Sequence, residues 1–164
     1  MKGYRAEDLK AFTQALFVGS CFDSFLLQEA EFRTFCTFSI DGTSHRSWYT
    51  DEELEEQQIE EYTTWGKLKP VCFQLIRGKR TPQSFHLTLR LSPGEQERLL
   101  PETAQKPNAE PGTFFLNLRF EKKELHCVSL ASFRLFPPDR SLEDWWDAWL
   151  RNFFEKNGLV VSQL

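Results

Sequence analysis

The stretch FHLTLRL, Phe85–Leu91, has the clearest alternation of polarity in the sequence. The apolar positions are Phe85, Leu87, Leu89 and Leu91. Successive side chains of a β-strand point to opposite faces, so this stretch predicts a strand with one buried face and one polar face. Such a strand is typical of an antiparallel sheet that covers a core with only one of its faces.

A pair of alternating stretches follows this strand. Phe114–Phe120 and Leu125–Phe136 lie on either side of the polar sequence EKKE, which is typical of a turn. We therefore predict a β-hairpin from these two stretches. Pro101–Gly112, which holds three prolines and few apolar residues, predicts a loop before the hairpin.

Another alternating stretch precedes Phe85–Leu91. Phe32–Ile40 shows the two-residue period of a strand, and Asp41 and Gly42 follow it directly. An Asp-Gly pair is typical of the tight turn of a hairpin, in which both central residues have positive φ. The predicted return strand is Thr43–Tyr49.

Helical patterns surround the predicted strands. Trp145, Trp146 and Trp149 belong to a broad apolar stripe, which is typical of a helix packed on a core. The sequence SPGE at 92–95 combines a capping serine, a proline at the first helical position and a glutamate at the third. The predicted helices are Ala6–Val18, Asp51–Glu61, Trp65–Ile76, Pro93–Leu100 and Ser141–Lys156. Because a proline fits the first turn of a helix and breaks its interior, a start near Lys69, just before Pro70, is the alternative for the third.

These elements predict an α+β fold, in which an antiparallel or mixed sheet of about five strands has helices packed on one face. A chain of 164 residues has the usual size of one domain, so residues 1–164 are expected to form a single globular domain. The 16 Phe and 5 Trp predict a core built largely from aromatic rings.

Charge and apolar patterning bear on cellular location. The net charge of −4 and the pI near 5.5 give no overall attraction to nucleic acid or to acidic membranes. Met1–Lys10 carries charges where a secretory signal needs an apolar run, and no stretch approaches the roughly 18 apolar residues of a membrane span. We therefore expect a cytoplasmic protein without a membrane partner.

The four cysteines, Cys21, Cys36, Cys72 and Cys127, form no CxxC pair, and no two histidines share a helical or short-loop spacing. This spacing indicates neither a zinc site nor a redox dithiol. We expect free thiols in a reducing compartment, and neither a metal nor a cofactor.

An enzyme of unknown class is one alternative. The groups that catalysis would use are His45, His86, His126, Cys36, Cys127 and Asp41. A thiol nucleophile needs a base beside it, and the spacing of these groups arranges no such pair. His126 and Cys127 are adjacent, so in a regular strand they point to opposite faces.

A basic cluster consists of Lys67, Lys69, Arg77, Lys79 and Arg80, the last three around Gly78. Arginine offers a planar fork to phosphate oxygens, lysine adds a mobile charge, and glycine lets backbone N–H groups approach an anion. The cluster therefore predicts an anion site. Its glycine spacing matches neither a Walker loop nor a dinucleotide fingerprint. The alternative explanation is a helix C-terminus, where the cations offset the helix dipole and Gly78 is the left-handed cap.

The polar face of the predicted sheet is a second candidate surface. Aromatic rings among arginines are typical of a surface on which nucleobases stack, although the signature motif of an RNA-recognition sheet is absent. A covering helix, and arginines paired with glutamates, would explain the same pattern. The candidate residues are Arg33, Phe35, His86, Arg90, Asn117 and Arg119.

Four segments together resemble a known family. They are Phe25–Leu27, Phe38–Gly42, Trp65–Pro70 and Leu75–Pro82, and the similarity spans nearly the whole chain. The chain resembles a family of small bacterial proteins of unknown function, found in clostridial gut anaerobes. The resemblance implies an intracellular bacterial protein and supplies no site residues.

The function that best fits these patterns is a non-enzymatic binding module. Its partner would be nucleic acid or a phosphorylated ligand, held by the basic cluster. A component of protein–protein or homo-oligomeric assemblies is the alternative, because aromatic residues, including the three tryptophans of the last helix, are enriched in interfaces.

Overall fold

The structure is a computed structural model that describes residues 1–101, 112–134 and 140–164. The strands are β1 (Gly3–Ala6), β2 (Leu26–Arg33), β3 (Thr37–Asp41), β4 (Thr63–Thr64), β5 (Ser84–Arg90), β6 (Thr113–Glu121), β7 (Glu124–Ser132) and β8 (Val161–Gln163). The helices are α1 (Leu9–Phe17), α2 (Asp51–Glu56), α3 (Trp65–Ile76), α4 (Pro93–Leu99) and α5 (Ser141–Lys156), with a 3₁₀ turn at Arg46–Trp48.

The strands form one sheet in the order β3-β2-β5-β6-β7-β1-β8, and β4 pairs with β2 on the same side as β3. Each of these pairings is antiparallel. The predicted α+β class is confirmed, but the sheet is larger than predicted. The strands missed by the sequence pattern, β1, β4 and β8, are only four, two and three residues long, which is too short to show a two-residue period.

Helices α1, α3 and α5 cover one face of the sheet, as predicted. In the core, Trp65 of α3 and Trp146 of α5 are fully buried. The Trp65 indole N–H donates to the carbonyl of Leu16 at 2.8 Å, and that of Trp146 donates to the carbonyl of Phe115 at 2.9 Å. These bonds satisfy the buried indoles and tie α3 to α1 and α5 to β6.

The hairpin of β6 and β7 is confirmed. Its turn residues Lys122 and Lys123 have φ values of 51° and 64°, the positive pair that a tight turn between twisted strands requires. Strand β7 ends at Ser132, short of the predicted Phe136. Most of the predicted loop Pro101–Gly112 and the end of the predicted strand lie outside the described residues.

The predicted position of the first hairpin turn is wrong. The chain reverses at 34–36, where Arg33 pairs with Thr37, and the predicted return strand Thr43–Tyr49 provides only a single bridge, from Thr43 to Tyr62. Alternation continues through both β2 and β3, so the polarity pattern does not show where the strand reverses. Gly42 is not among the residues of positive φ.

Two predicted helices are shorter than expected. Helix α1 begins at Leu9 rather than at Ala6, because β1 precedes it and the Asp8 carboxylate accepts from the Ala11 N–H at 3.0 Å as an N-cap. Helix α2 ends at Glu56. The SPGE signal is confirmed, since the Ser92 hydroxyl accepts from the Glu95 N–H at 3.2 Å.

Gly42 is required by a close approach of two backbones. A Cβ atom added to Gly42 would lie 1.8 Å from the carbonyl oxygen of Leu27, which is itself main chain and cannot move aside cheaply. We therefore expect Gly42→Ala to lower the free energy of unfolding by about 1–3 kcal/mol, as overpacking does. Urea unfolding followed by tryptophan fluorescence measures it.

Gly94→Ala is the matched control, because a Cβ at Gly94 meets no heavy atom within 4 Å. Gly94 lies in α4, so this change is expected to stabilise by up to about 1 kcal/mol. Equal effects of the two substitutions would contradict the close approach.

Candidate functional site

The five residues of the basic cluster do not form one cluster in the structure. Lys67 and Lys69 lie in the first half of α3, whereas Arg77, Lys79 and Arg80 follow its end. A helix of 12 residues is about 18 Å long, so the two groups lie near opposite ends of the helix.

Lys67 and Lys69 are engaged within the chain. The Lys69 ammonium lies 2.6 Å from the Asp23 carboxylate and donates to the Gly19 carbonyl at 2.7 Å, and its side chain is only 13% exposed. The Lys67 ammonium donates to the Tyr49 hydroxyl at 2.7 Å and lies 4.7 Å from the centre of that ring. Both lysines therefore have a structural explanation that needs no ligand.

Arg77, Lys79 and Arg80 lie on the rim of a groove between α1 and the end of α3, and Lys10 of α1 joins them. The groove has a volume of about 660 Å³. These four cations, here called the cationic rim, are exposed, and no ion pair within the described ranges engages them.

The turn after α3 brings the rim residues to the groove. Helix α3 ends with the Arg77 N–H donating to the Phe73 carbonyl at 2.9 Å. Gly78 follows with a φ of +146°, a value that favours glycine but lies far from the roughly +57° of a left-handed helix cap. Simple C-capping by Gly78 therefore does not describe this turn.

The apolar floor of the groove comes from both the helices and the sheet. Phe17 of α1 meets Phe85 of β5 edge-on, with ring centres 5.4 Å apart, and Phe85 stacks on Phe120 of β6 at 5.2 Å. All three rings are nearly fully buried. Charge therefore lies at the rim of this groove and apolar surface at its base.

The face of the sheet opposite α1, α3 and α5, here called the open face, holds most of the second predicted set. The register pairs His86 with Arg119, and Arg90 with Phe115, while Asn117 lies opposite Thr88. His86, Arg90, Asn117 and Arg119 therefore point to the same side of the sheet.

The two remaining residues of that set differ from these four. Arg33 is ion-paired, and Phe35 does not lie on the open face. Arg33 is paired with the Glu31 carboxylate at 3.2 Å. Phe35 lies in the turn between β2 and β3, where its side chain is 91% exposed and its ring packs edge-on against Phe38. Phe38 pairs with the buried Phe32, so this contact is on the helix-covered side rather than on the open face.

Two aromatic rings of the open face are in contact with an arginine side chain of the same chain. The Arg90 guanidinium lies 4.9 Å from the Tyr62 ring centre and 5.9 Å from that of Phe115. The Nε of Arg90 and the Oδ1 of Asn117 are buried without a hydrogen-bond partner among the described residues. Stacking of nucleobases would have to displace Arg90 from these rings.

A concavity beside these rings is acidic. It has a volume of about 540 Å³, and Glu29, Glu31 and Asp41 line it together with Tyr62 and His86. Burial, and then the nearby Arg119, lower the pKa of His86, although the two glutamates oppose this shift. His86 is therefore not a strong source of positive charge at neutral pH, and this part of the open face repels phosphates.

The structure assembles no thiol with a base from the candidate catalytic groups in the described part of the chain. The His126 imidazole lies 3.1 Å from the Glu124 carboxylate, whereas Cys127 is buried on the opposite face. Burial raises the pKa of Cys127 to about 12, and that of Cys72 also to about 12, so neither is a thiolate at neutral pH. No group of three or more His, Cys, Asp or Glu side chains within residues 1–101, 112–134 and 140–164 is placed to hold a metal ion.

A known family matches most of this chain. The model of a family of unknown function, DUF5721, covers residues 15–162. The chain belongs to this family. The predicted resemblance to an uncharacterised family is thereby confirmed, and DUF5721 offers no activity or site residue to transfer.

Neither the curated proteins nor the solved structures contain a match to this DUF5721 member. Among the helices described, none has the length and apolar content needed to span a bilayer.

Lys10 and Tyr62 are the site residues that the sequence pattern missed. Lys10 lies in the predicted first helix, and nothing in the spacing connects that helix with the turn after α3. Tyr62 follows the acidic helix and belongs to no alternating stretch. Both depend on contacts between elements distant in the chain, which periodicity does not reveal.

Proposed function

We propose that this protein is a non-enzymatic, single-domain binding module of the cytoplasm that holds a small phosphorylated ligand in the groove between α1 and α3. The observation that carries this proposal is the cationic rim, four exposed positive side chains without ion pairs in the described ranges around one cavity. Two of the five predicted anion-binding residues, Lys67 and Lys69, are not part of it.

Charge supports an anionic ligand at this place. The chain as a whole carries a net charge of −4, so an anion is attracted only where positive side chains converge locally. Arg77 and Arg80 supply planar donor forks, and Lys79 and Lys10 supply ammonium groups that can follow a phosphate.

Size and surroundings favour a small ligand over nucleic acid. A volume of about 660 Å³ is within the range of small-molecule pockets. An extended nucleic acid needs a long basic surface, whereas the open face carries Glu29, Glu31 and Asp41 beside its arginines. The groove therefore supports a phosphorylated small molecule better than it supports a polymer.

Calorimetric titration with inorganic pyrophosphate at low salt tests the proposal. We expect binding that Arg77→Ala together with Arg80→Ala weakens by about 100-fold, since each lost charge-assisted hydrogen bond contributes about 1.5 kcal/mol. The matched control is Arg140→Ala together with Arg151→Ala, which removes the same charge from exposed positions on or beside α5. Added salt should weaken binding to the wild-type protein.

Undetectable binding of pyrophosphate, or equal weakening by both double variants, would contradict the proposal. Binding of a single-stranded oligonucleotide without binding of pyrophosphate would instead indicate a nucleic-acid site.

Self-association is a second candidate, favoured by the free edge of the sheet. Among the described strands, β3 pairs with β2 alone, and it contains neither Pro nor Lys. Two copies of β3 that pair antiparallel about Ser39 would place Phe38 of one copy opposite Ile40 of the other, and Thr37 opposite Asp41. The strand is therefore self-complementary under two-fold symmetry.

A charge at the two-fold axis tests this candidate. We expect Ser39→Lys to abolish a dimer, because the two lysines would face each other, while within each copy the new lysine lies opposite Glu31. Val71→Lys is the control, since it adds the same charge at an exposed position of α3, outside β3, and should leave the dimer intact. Analytical ultracentrifugation over a range of concentrations measures both, and a wild-type protein that is monomeric throughout would exclude the pairing.

A further inference from the structure

The groove has an apolar half that an inorganic anion would not use. Most of the surface lining it is apolar. Leu9, Phe73 and Ile76 contribute partly buried side chains to its walls, and Val18 remains 52% exposed at its edge. Apolar surface that is concave and still in contact with water gains free energy when an apolar ligand covers it.

The floor beneath these walls has a fixed shape. Phe17, Phe85 and Phe120 contact one another in the edge-on and stacked arrangements described above, and each is no more than 4% exposed. Rings that are buried this deeply expose too little of their faces for another ring to stack on them. The floor therefore offers a smooth apolar surface rather than an aromatic face on which a nucleobase could stack.

The charges gather toward one end of the groove. The start of α3 is tied to the end of α1, since Trp65 donates to Leu16 and Lys69 donates to Gly19. The end of α3 lies away from that junction, and the residues that follow it line the groove together with Lys10 of the first turn of α1. Cations lie at that end, and the exposed Val18 lies at the other.

We propose that the groove binds a single-chain amphiphile, namely an unbranched alkyl chain that ends in a phosphate monoester. The phosphate lies among Arg77, Lys79 and Arg80, and the chain runs along α1 toward Val18. The inference rests on the proposed function and adds to it the apolar part of the ligand. Leu9–Val18 spans about 14 Å of helix, enough for a chain of medium length.

Polar ligands with the same phosphate fit the groove less well. A sugar or a nucleobase needs hydrogen-bond partners along its length, and away from the cationic rim the lining offers only the side chains of Thr13, Gln14 and Thr81 as polar partners. An alkyl chain needs none. The order of polarity along the groove therefore matches an amphiphile better than a nucleotide.

Titration with three probes measures how much the phosphate and the alkyl chain each contribute to binding. The probes are n-octyl phosphate, inorganic phosphate and n-octyl glucoside, each kept below its critical micelle concentration. We expect octyl phosphate to bind about tenfold or more tightly than either of the others, because only it combines the charge with the chain. Arg77→Ala with Arg80→Ala should reduce its affinity to that of octyl glucoside.

A pair of valine substitutions tests where the alkyl chain of the ligand lies. Val18→Asn places a polar group in the groove and should weaken octyl phosphate about tenfold while leaving inorganic phosphate unchanged. Val71→Asn is the matched control, because Val71 is 55% exposed on α3 and does not line the groove. Both sites are on the surface, so both variants are expected to fold.

The outcomes distinguish this inference from the function on which it rests. If inorganic phosphate binds as tightly as octyl phosphate, the amphiphile is excluded and the anion site remains. If neither binds, the amphiphile is excluded, and the anion site is excluded as well only when pyrophosphate also fails to bind. Equal effects of Val18→Asn and Val71→Asn, or binding of octyl phosphate that does not depend on Arg77 and Arg80, would overturn the placement of the ligand.

Discussion

One face of the sheet is buried under the aromatic side chains of α1, α3 and α5, and this packing positions the other parts of the fold. Trp146 and Trp65 are among the largest side chains in the core, and each can be buried only because its indole N–H reaches a main-chain carbonyl. A buried indole without that partner would destabilise the fold. These two bonds fix where α3 and α5 lie, and hence where the groove and the open face are.

The groove forms where the aromatic layer reaches its edge. Phe17, Phe85 and Phe120 complete the layer beneath α1 and the end of α3, and the chain then turns at Gly78 instead of continuing over the sheet. The turn places Arg77, Lys79 and Arg80 above apolar rings. On the opposite side of the sheet Arg90 occupies the space between Tyr62 and Phe115, so the arginines that looked alike in sequence have different environments.

Sequence periodicity predicted the centre of this fold better than its edges. Strands β5, β6 and β7 have one buried face each, so alternation identified them, and the SPGE capping signal identified α4. Strands β1 and β8 pair with each other at the border of the sheet and bury few side chains, so they left no pattern. The alternation of Phe32–Ile40 continues across the turn at 34–36, so it does not reveal that turn. The sequence also predicted a positive φ for Gly42, whereas the structure requires glycine there because its backbone lies close to that of Leu27.

The candidate site could be predicted only in part. Local composition identified Arg77, Lys79 and Arg80, because they are adjacent in sequence. It could not separate them from Lys67 and Lys69. Those two lysines are excluded by the length of α3 and by their contacts with Tyr49 and Asp23, which only the structure shows. The contribution of Lys10, and the rings beneath the rim, depend on packing between α1 and the sheet.

Amide chemical-shift mapping tests whether the groove between α1 and α3 is the ligand site, because it reports where a ligand lies without any substitution. During titration of the ¹⁵N-labelled protein with n-octyl phosphate, we expect changes in amide chemical shift that are confined to Leu9–Val18, Phe73–Thr81, Phe85 and Phe120. Shifts centred on β5 and β6 at His86–Arg90 and Phe115–Arg119, or no shifts at all, would contradict this expectation.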